Sequence, residues 1–389
     1  MTEATQTQRL PEAGADAAGP EEPGRGATDA EVAVASQWKL TWWSFRRHKL
    51  AMAGAIVTLG FYLVVLFAGF LAPYASSHYS PEHTYAPPQR LHVLDDGELG
   101  LYVHPQSAEM DPSTLALTWT TDTTQKTELG LFVRGSEYRM LGVITWDRHL
   151  LGPVDPDGEP VYLLGADKNG YDILSRMIHG TTVSMTIGLV GVAISLVIAV
   201  ILGGLSGLLG GITDTIIQRI IEFLMSLPAI PLWMALAAAV PATWNPLERY
   251  FAIILILSLI GWTGLAREVR GKFMSVREEE YITAARVDGA GHGRLVVHHM
   301  LPQFTSHIIA GLSLSIPAMI LAETSLSWLG LGLQAPVVSW GVLLQEAQNV
   351  RVITDAPWIM IPGLAVIAAV LALNFFGDGL RDAADPYKN

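Results

Sequence analysis

The chain has 389 residues, half of them hydrophobic, and only 15% are charged, well under the roughly 25% of an average globular protein. Its formal charge of −12 is localised: residues 1–37 hold seven acids and two bases, residues 74–181 hold fifteen and seven, and the rest is nearly neutral. The absence of cysteine excludes disulfides, a thiolate nucleophile and a Cys-ligated metal, and no basic patch with interleaved aromatics points to nucleic acid.

In chain order, residues 1–37 are rich in Ala, Gly, Pro and Glu without apolar periodicity. They read as a disordered tail, and not as a signal peptide, because no apolar core follows an early basic region. Residues 38–73 open with WKLTWWSFRRHKL and continue as an apolar run. Lys39, Arg46, Arg47 and Lys49 form a positive flank that places this end in the cytoplasm, and Trp38, Trp42 and Trp43 suit the headgroup layer. The stretch 74–181 then alternates apolar and polar residues in LGLFVRG and YRMLGVITW, with Pro and Gly punctuation, and predicts a small β-containing insert on the external side.

Crossing a bilayer takes about 20 apolar helical residues. Six segments qualify: 51–73, 183–209, 213–240, 250–268, 304–327 and 357–378. The last five make residues 182–389 the core domain, and an even number leaves both termini cytoplasmic in a multi-pass protein of the cell membrane. The loop 267–302 then also lies inside, and its Arg267, Arg270, Lys272, Arg277, Arg286 and Arg294 agree with a positive inner side. In the second segment Gly203, Gly207 and Gly211 are spaced to give one helix face a row of small residues, for packing within this chain rather than between subunits. Pro228 and Pro231 predict a kink in the third, and Arg219 with Glu222 an exposed ion pair.

The loop stretch EYITAARVDGAGHGRLVVHHMLPQ, Glu280 to Gln303, is too polar for lipid. It starts as a helix, breaks at Asp288-Gly289, resumes over Leu295–His298 and stops at Leu301-Pro302. Ala284 and Ala285 are small enough to admit another surface. On the residues alone, a hairpin that merely joins two spans fits equally well. Asp167, Asp172 and Arg176 are expected to organise the external mouth. Glu323, near the outer end of the fifth segment, is either a functional intramembrane acid or a group in wet interface. His298 and His299 are adjacent on a helix, point in different directions and have no partner ligand at i+3 or i+4, so no metal site is expected.

The stretch resembles the EAA loop of binding-protein-dependent ABC importer permeases, in Ala284, Ala285, Gly289, Leu301 and Pro302. LLGADKNGYDILSRMIHGTTVSMTIGL from Leu163, LSWLGLGLQAPVVSWG from Leu326 and NFFGDGLRDAADP from Asn374 are similar to signatures of the dipeptide/oligopeptide and nickel permease subfamily, as a C-type subunit. The resemblance implies an all-α polytopic membrane protein with six transmembrane helices in the ABC type I importer permease fold. It also implies a coupling hairpin that docks on an ATPase, through Tyr281, Ala284, Ala285, Asp288, Gly289, Leu301 and Pro302. Thr283 stands where the motif has glutamate, Asp288 where it is usually apolar, and Tyr171 where an arginine is usual before Asp172.

The implied partners are a second homologous permease subunit, two cytoplasmic ATP-binding subunits and an extracytoplasmic solute-binding protein, with a short peptide as substrate; nickel or another small solute stays open. The chain has no GxxxxGK[ST] phosphate loop, so it is expected to be no enzyme and to bind no cofactor directly, ATP being hydrolysed by its partners. A secondary transporter would need charged groups at the midplane of broken helices, and these spans have almost none. An intramembrane enzyme would need a paired-Asp, Ser–His or HExxH set at that depth, and none is present.

Overall fold

The computed structural model describes residues 37–384 apart from 96, 97, 111, 113–116, 141, 157 and 242. The tail predicted over 1–37 therefore lies, except for Gln37, outside the described residues. The chain enters through helix α1 (Gln37–Arg47), and α2 (Lys49–Leu66) continues in a last helical turn, Ala68–Leu71. After the insert come α3 (Ile173–Leu209), α4 (Gly211–Ser226), α5 (Ala229–Ala238) and α6 (Pro246–Val276). The short α7 (Glu280–Val287) precedes α8 (Thr305–Trp328), and α9 (Ile361–Ala384) ends the described chain.

Four of these helices are long and apolar enough to cross a membrane: α2, α3, α6 and α9 with its preceding turn. Helix α8, with 24 residues, has the length of a span as well. The third predicted segment departs from expectation. It is two helices, α4 and α5, bent by 89° at Leu227-Pro228. Pro228 lacks the N–H that would continue the ladder and Pro231 lies in the first turn of α5, so the chain breaks where a kink was expected.

Helices α3 and α6 pack in parallel along most of their length. Ser258 Oγ donates to the Gly191 carbonyl at 3.0 Å, and Ser195 Oγ to the Ser258 carbonyl at 3.3 Å. Further along, a Cβ added at Gly203 would lie 2.5 Å from the Ala266 carbonyl oxygen, and one at Gly207 would lie 2.6 Å from Phe273 Cβ. These two glycines thus serve packing within the chain. Gly211 does not share their face: with φ +58° it is the first residue of α4, directly after Gly210 (φ +63°), and a Cβ added at Gly211 meets nothing. Gly203→Ala is expected to destabilise the helix pair by about 1–3 kcal/mol, since a backbone carbonyl cannot rotate aside. Gly264→Ala, on the open side of α6, should instead stabilise by up to about 1 kcal/mol through helix propensity. Thermal unfolding of the two variants in detergent checks the contrast; equal shifts would sink it.

On the other side, α8 packs against α3 and α9, and α2 runs antiparallel to α9, with Gly54 close to the Ala372 carbonyl. The insert consists of an antiparallel sheet in the order β1 (His92–Asp95), β2 (Glu98–Val103), β5 (Thr127–Met140), β6 (Ile144–Pro153), and a separate ribbon of β3 (Gln106–Met110) with β4 (Leu117–Thr121). In the segment YRMLGVITW, Tyr138–Met140 end β5 and Ile144–Trp146 begin β6. The insert also ends earlier than the expected 181. Helix α3 is continuous from Ile173, so its polar first turns, read as insert, belong to the span.

Candidate functional site

The hairpin between α6 and α8 is held from behind by an apolar cluster. Ile282, Leu295 and Met300, all fully buried, pack with Leu208 of α3 and with Val269 and Phe273 of α6. Helix α7 ends in a complete Schellman motif. The Gly289 N–H donates to the Arg286 carbonyl at 3.1 Å, and the Ala290 N–H donates to the Ala285 carbonyl at 3.0 Å. Gly289 has φ +86° and nothing near an added Cβ, so this glycine sets the turn and leaves no room-making role. Ala285 is half-buried and joins the inner cluster. The opposite face, Tyr281, Ala284, Val287 and Asp288, is exposed, Val287 to 82%.

One expectation about this stretch is corrected. The chain does not stop at Leu301-Pro302. A π-helical turn, Leu295–Met300, and a 3₁₀ turn, Leu301–Phe304, lead without interruption into α8. Pro302 sits in the first turn of that 3₁₀ segment, where a missing N–H is harmless. Thr283 is exposed, as are Glu278, Glu279 and Glu280.

Directly behind the hairpin lies a polar joint that the sequence reading did not single out. Arg270 of α6 donates to both carboxylate oxygens of Asp214 of α4, from Nε at 2.5 Å and from Nη2 at 2.6 Å. Ser206 of α3 donates to the same carboxylate, and Arg277 Nη1 donates to the Gly207 carbonyl at 3.3 Å. The bidentate pair ties α4 to α6, and the Ser206 and Arg277 hydrogen bonds add α3. Its partners are 56 positions apart in the chain, so no local pattern announces them. Arg219 and Glu222 form the expected ion pair at 2.9 Å, on the exposed surface of α4.

At the opposite end of the bundle the four mouth candidates divide into two groups. Asp167 and Arg176 form a buried ion pair. Asp167 Oδ1 also accepts the N–H groups of Asn169 and Tyr171, at 2.8 and 3.0 Å. The ring of Tyr171, the departure from the family pattern, covers the Arg176 guanidinium at 4.5 Å. Asp172 caps α3, its Oδ2 accepting from Ser175 N at 2.8 Å and Ser175 Oγ at 2.6 Å. Lys168 and Glu346 pair beside them at 3.6 Å.

Glu323 is elsewhere, and it is not in wet interface: it is fully buried. Its Oε1 accepts from Ser327 Oγ and from Ser339 Oγ, each at 2.8 Å. Ser327 Oγ in turn accepts the Leu333 N–H, and Ser339 Oγ accepts the Val342 N–H. Ser184 of α3 accepts the Trp340 N–H at 3.1 Å. Among the described residues no cation pairs with Glu323. Ser184, eight residues beyond Arg176 on α3, sits about 12 Å further along the helix axis. Glu323 and the Asp167–Arg176 pair therefore form separate polar centres.

Burial pushes the Asp172 carboxyl up to about 6, against the lowering effect of its Ser175 hydrogen bonds. Its Oδ1 has no hydrogen-bond partner. Because the folded state holds this proton more tightly than the unfolded chain, the stabilisation is complete below about pH 4 and is lost as pH rises from there to about 6. The loss is on the order of 2–3 kcal/mol. Glu346, also raised by burial and by Asp167, acts in the same direction. Asp172→Asn keeps a capping oxygen and is expected to flatten the fall in melting temperature between pH 4 and 6. An unchanged slope would rule Asp172 out as its source.

With this geometry in hand, comparison with known proteins gives consistent results. The family described as binding-protein-dependent transport system inner membrane component matches residues 173–388, and the N-terminal TM domain of oligopeptide transport permease C matches residues 36–88. A putative peptide permease protein of Brucella ovis is 35% identical over 223 residues, covering 57% of this chain and 72% of the relative. The dipeptide transport system permease protein DppC of Alkalihalophilus pseudofirmus is 34% identical over 224 residues, covering 57% and 71%. The oligopeptide transport system permease protein OppC of Escherichia coli is 35% identical over 232 residues, covering 59% and 74%.

Proposed function

This chain belongs to the binding-protein-dependent transport system inner membrane components, and on that premise we propose that it forms half of the translocation path of an ATP-driven importer of short peptides. The substrate class rests on the relatives, which are named as peptide, dipeptide and oligopeptide permeases. A second, homologous permease would supply the other half, two cytoplasmic ATP-binding subunits the energy, and an external solute-binding protein the cargo. All six apolar segments then cross, the bent α4–α5 pair counting as one, with both termini and the 280–302 hairpin in the cytoplasm.

The observation that carries the mechanism is the two-sided character of α7. One face is fixed to α3 and α6 through Ile282 and the Phe273 cluster; the other shows Tyr281, Ala284 and Val287 to solvent. Exposed Tyr281 and Val287 on a short helix already anchored through its other side are the surface a docking partner would cover. Closure of the ATP-binding subunits would move α7, and α7 would carry α6 and α8 with it, since it is joined to α6 by a short link and to α8 through the helical turns Leu295–Phe304. The bidentate Arg270–Asp214 contact extends that motion to α4.

The absence of native cysteine makes a direct test simple. Single cysteines at Ala284 or Asp288, paired with cysteines in the groove of a co-expressed ATP-binding subunit, are expected to form disulfides whose yield changes with ATP. A folded complex with no crosslink anywhere along 280–302 would reduce the hairpin to a connector.

A further inference from the structure

We propose that the tip of the β5–β6 hairpin is immersed in the outer leaflet of the bilayer, as a second membrane contact beside the spans. The inference rests on the reading that places the insert outside. The hairpin does not point away from the membrane; it runs back along the exit of the first span. His149, midway down β6, hydrogen-bonds the Ala72 carbonyl through Nδ1 at 2.6 Å. Nearer the tip, the Tyr138 ring lies against Gly69, where an added Cβ would be 2.4 Å from Tyr138 Cδ2. Nearest the tip, Arg139, Met140 and Gly142 line one cleft with Val65, Leu66 and Phe67. Each step toward the turn thus meets an earlier residue of the span.

Depth follows from helix length. Residues 49–71 in helix are about 34 Å long, against a hydrocarbon core of about 30 Å, so the core ends near Phe70. The level of Val65–Leu66 is about a turn inside it. There the tip carries Val143, 84% exposed, and Ile144, 58% exposed. On the same stretch of α2, Leu63, Leu66 and Phe67 are exposed too, so the apolar surface of the tip is continuous with that of a span.

The chemistry matches an interfacial layer. Residues 138–146 contain one arginine and no acid, within an insert of fifteen acids. Trp146 stacks on Phe70 at 6.1 Å, and Phe132 meets Phe70 at 5.8 Å, an aromatic collar at the expected headgroup level. Arg139, next to the tip, has a stem long enough to return its charge to water. Backbone in lipid must satisfy its own hydrogen bonds. Between its strands the hairpin does so, with Tyr138 paired to Trp146, Arg139 to Thr145 and Met140 to Ile144, and the outward-facing groups of the two edges are left to the polar headgroup layer and its water.

The test uses the full importer complex in phosphatidylethanolamine/phosphatidylglycerol vesicles. Cysteine is placed at Val143 and, for comparison, at Thr124, which is exposed in the loop between β4 and β5. A polarity-sensitive fluorophore at Val143 is expected to show blue-shifted emission and quenching by lipids brominated near the headgroup; at Thr124 it should show neither. In right-side-out membrane vesicles, an impermeant maleimide should label Val143→Cys about ten-fold more slowly than Thr124→Cys, because an apolar surrounding suppresses the thiolate. Water-like emission at Val143 without lipid quenching, while Thr124→Cys labels from outside, would overturn the proposal. Labelling of Thr124→Cys only after the vesicles are opened would instead overturn the topology, and this proposal with it.

Discussion

Glu323→Ala is expected to lower stability by about 3 kcal/mol or more, the largest single-residue effect in the membrane core. The carboxylate is fully buried and accepts from two hydroxyls, and each hydroxyl in turn accepts a backbone N–H from the chain after α8. Truncation leaves both hydroxyls without an acceptor and opens a cavity closed to water. It also frees a segment packed without slack: a Cβ at Gly341 would lie 2.8 Å from Ser327 Cβ and from the Thr324 carbonyl oxygen. Glu323→Gln keeps the Oε1 acceptor, and its expected cost is under about 1 kcal/mol, as for a loss of no existing bond. The measurement is the apparent melting temperature and the yield of folded protein in detergent. If glutamine is as damaging as alanine, the charge and not the acceptor is what the fold requires, and the hydrogen-bond account fails.

Val287→Asp is expected to leave the isolated chain unaffected and to reduce substrate uptake by a factor of about 30. The side chain is 82% exposed, so its replacement should change the stability of this subunit by less than about 0.5 kcal/mol. Within a docked interface the same carboxylate would be desolvated without a partner. A loss of about 2 kcal/mol, typical of a residue at the centre of an interface, corresponds to that factor. Uptake in vesicles, together with co-purification of the ATP-binding subunits, separates the two readings. Normal uptake and normal co-purification would mean that this face of α7 meets no partner. Ala284→Trp, one turn earlier on the same face, should give a similar result through bulk instead of charge.

What could be read in the residues depended on how far apart the interacting groups lie. The apolar segments located the long helices, with ends displaced by up to ten residues, because bilayer thickness fixes their apolar length. The start of α3 was misplaced by ten residues, since the polar run SRMIHGTTVSMT hides a helix that continues beyond the apolar stretch. The hairpin was legible through Gly289, whose positive φ is a local demand. That Pro302 opens the next span was legible too, whereas the unbroken helical path into it through Leu295–Met300 was not. The buried role of Glu323 depends on Ser184 and Ser339 from separate segments, and the Asp214–Arg270 joint on two helices that meet only in the fold. The expectation that Gly203, Gly207 and Gly211 share a face failed for Gly211 alone, where the helix had already ended.

Helix α3 has 37 residues and no internal break. It is therefore a stiff rod about 55 Å long, carrying the Asp172 cap at one end and Gly207, pressed on the hairpin's support, near the other. A rod has leverage but no play. Tilting it by 10° about one end displaces the other by roughly 10 Å, so the two ends of the rod are not free to be set independently. On the proposed docking of α7, the same rod would carry its motion to the salt-bridged cap around Asp167 and Arg176.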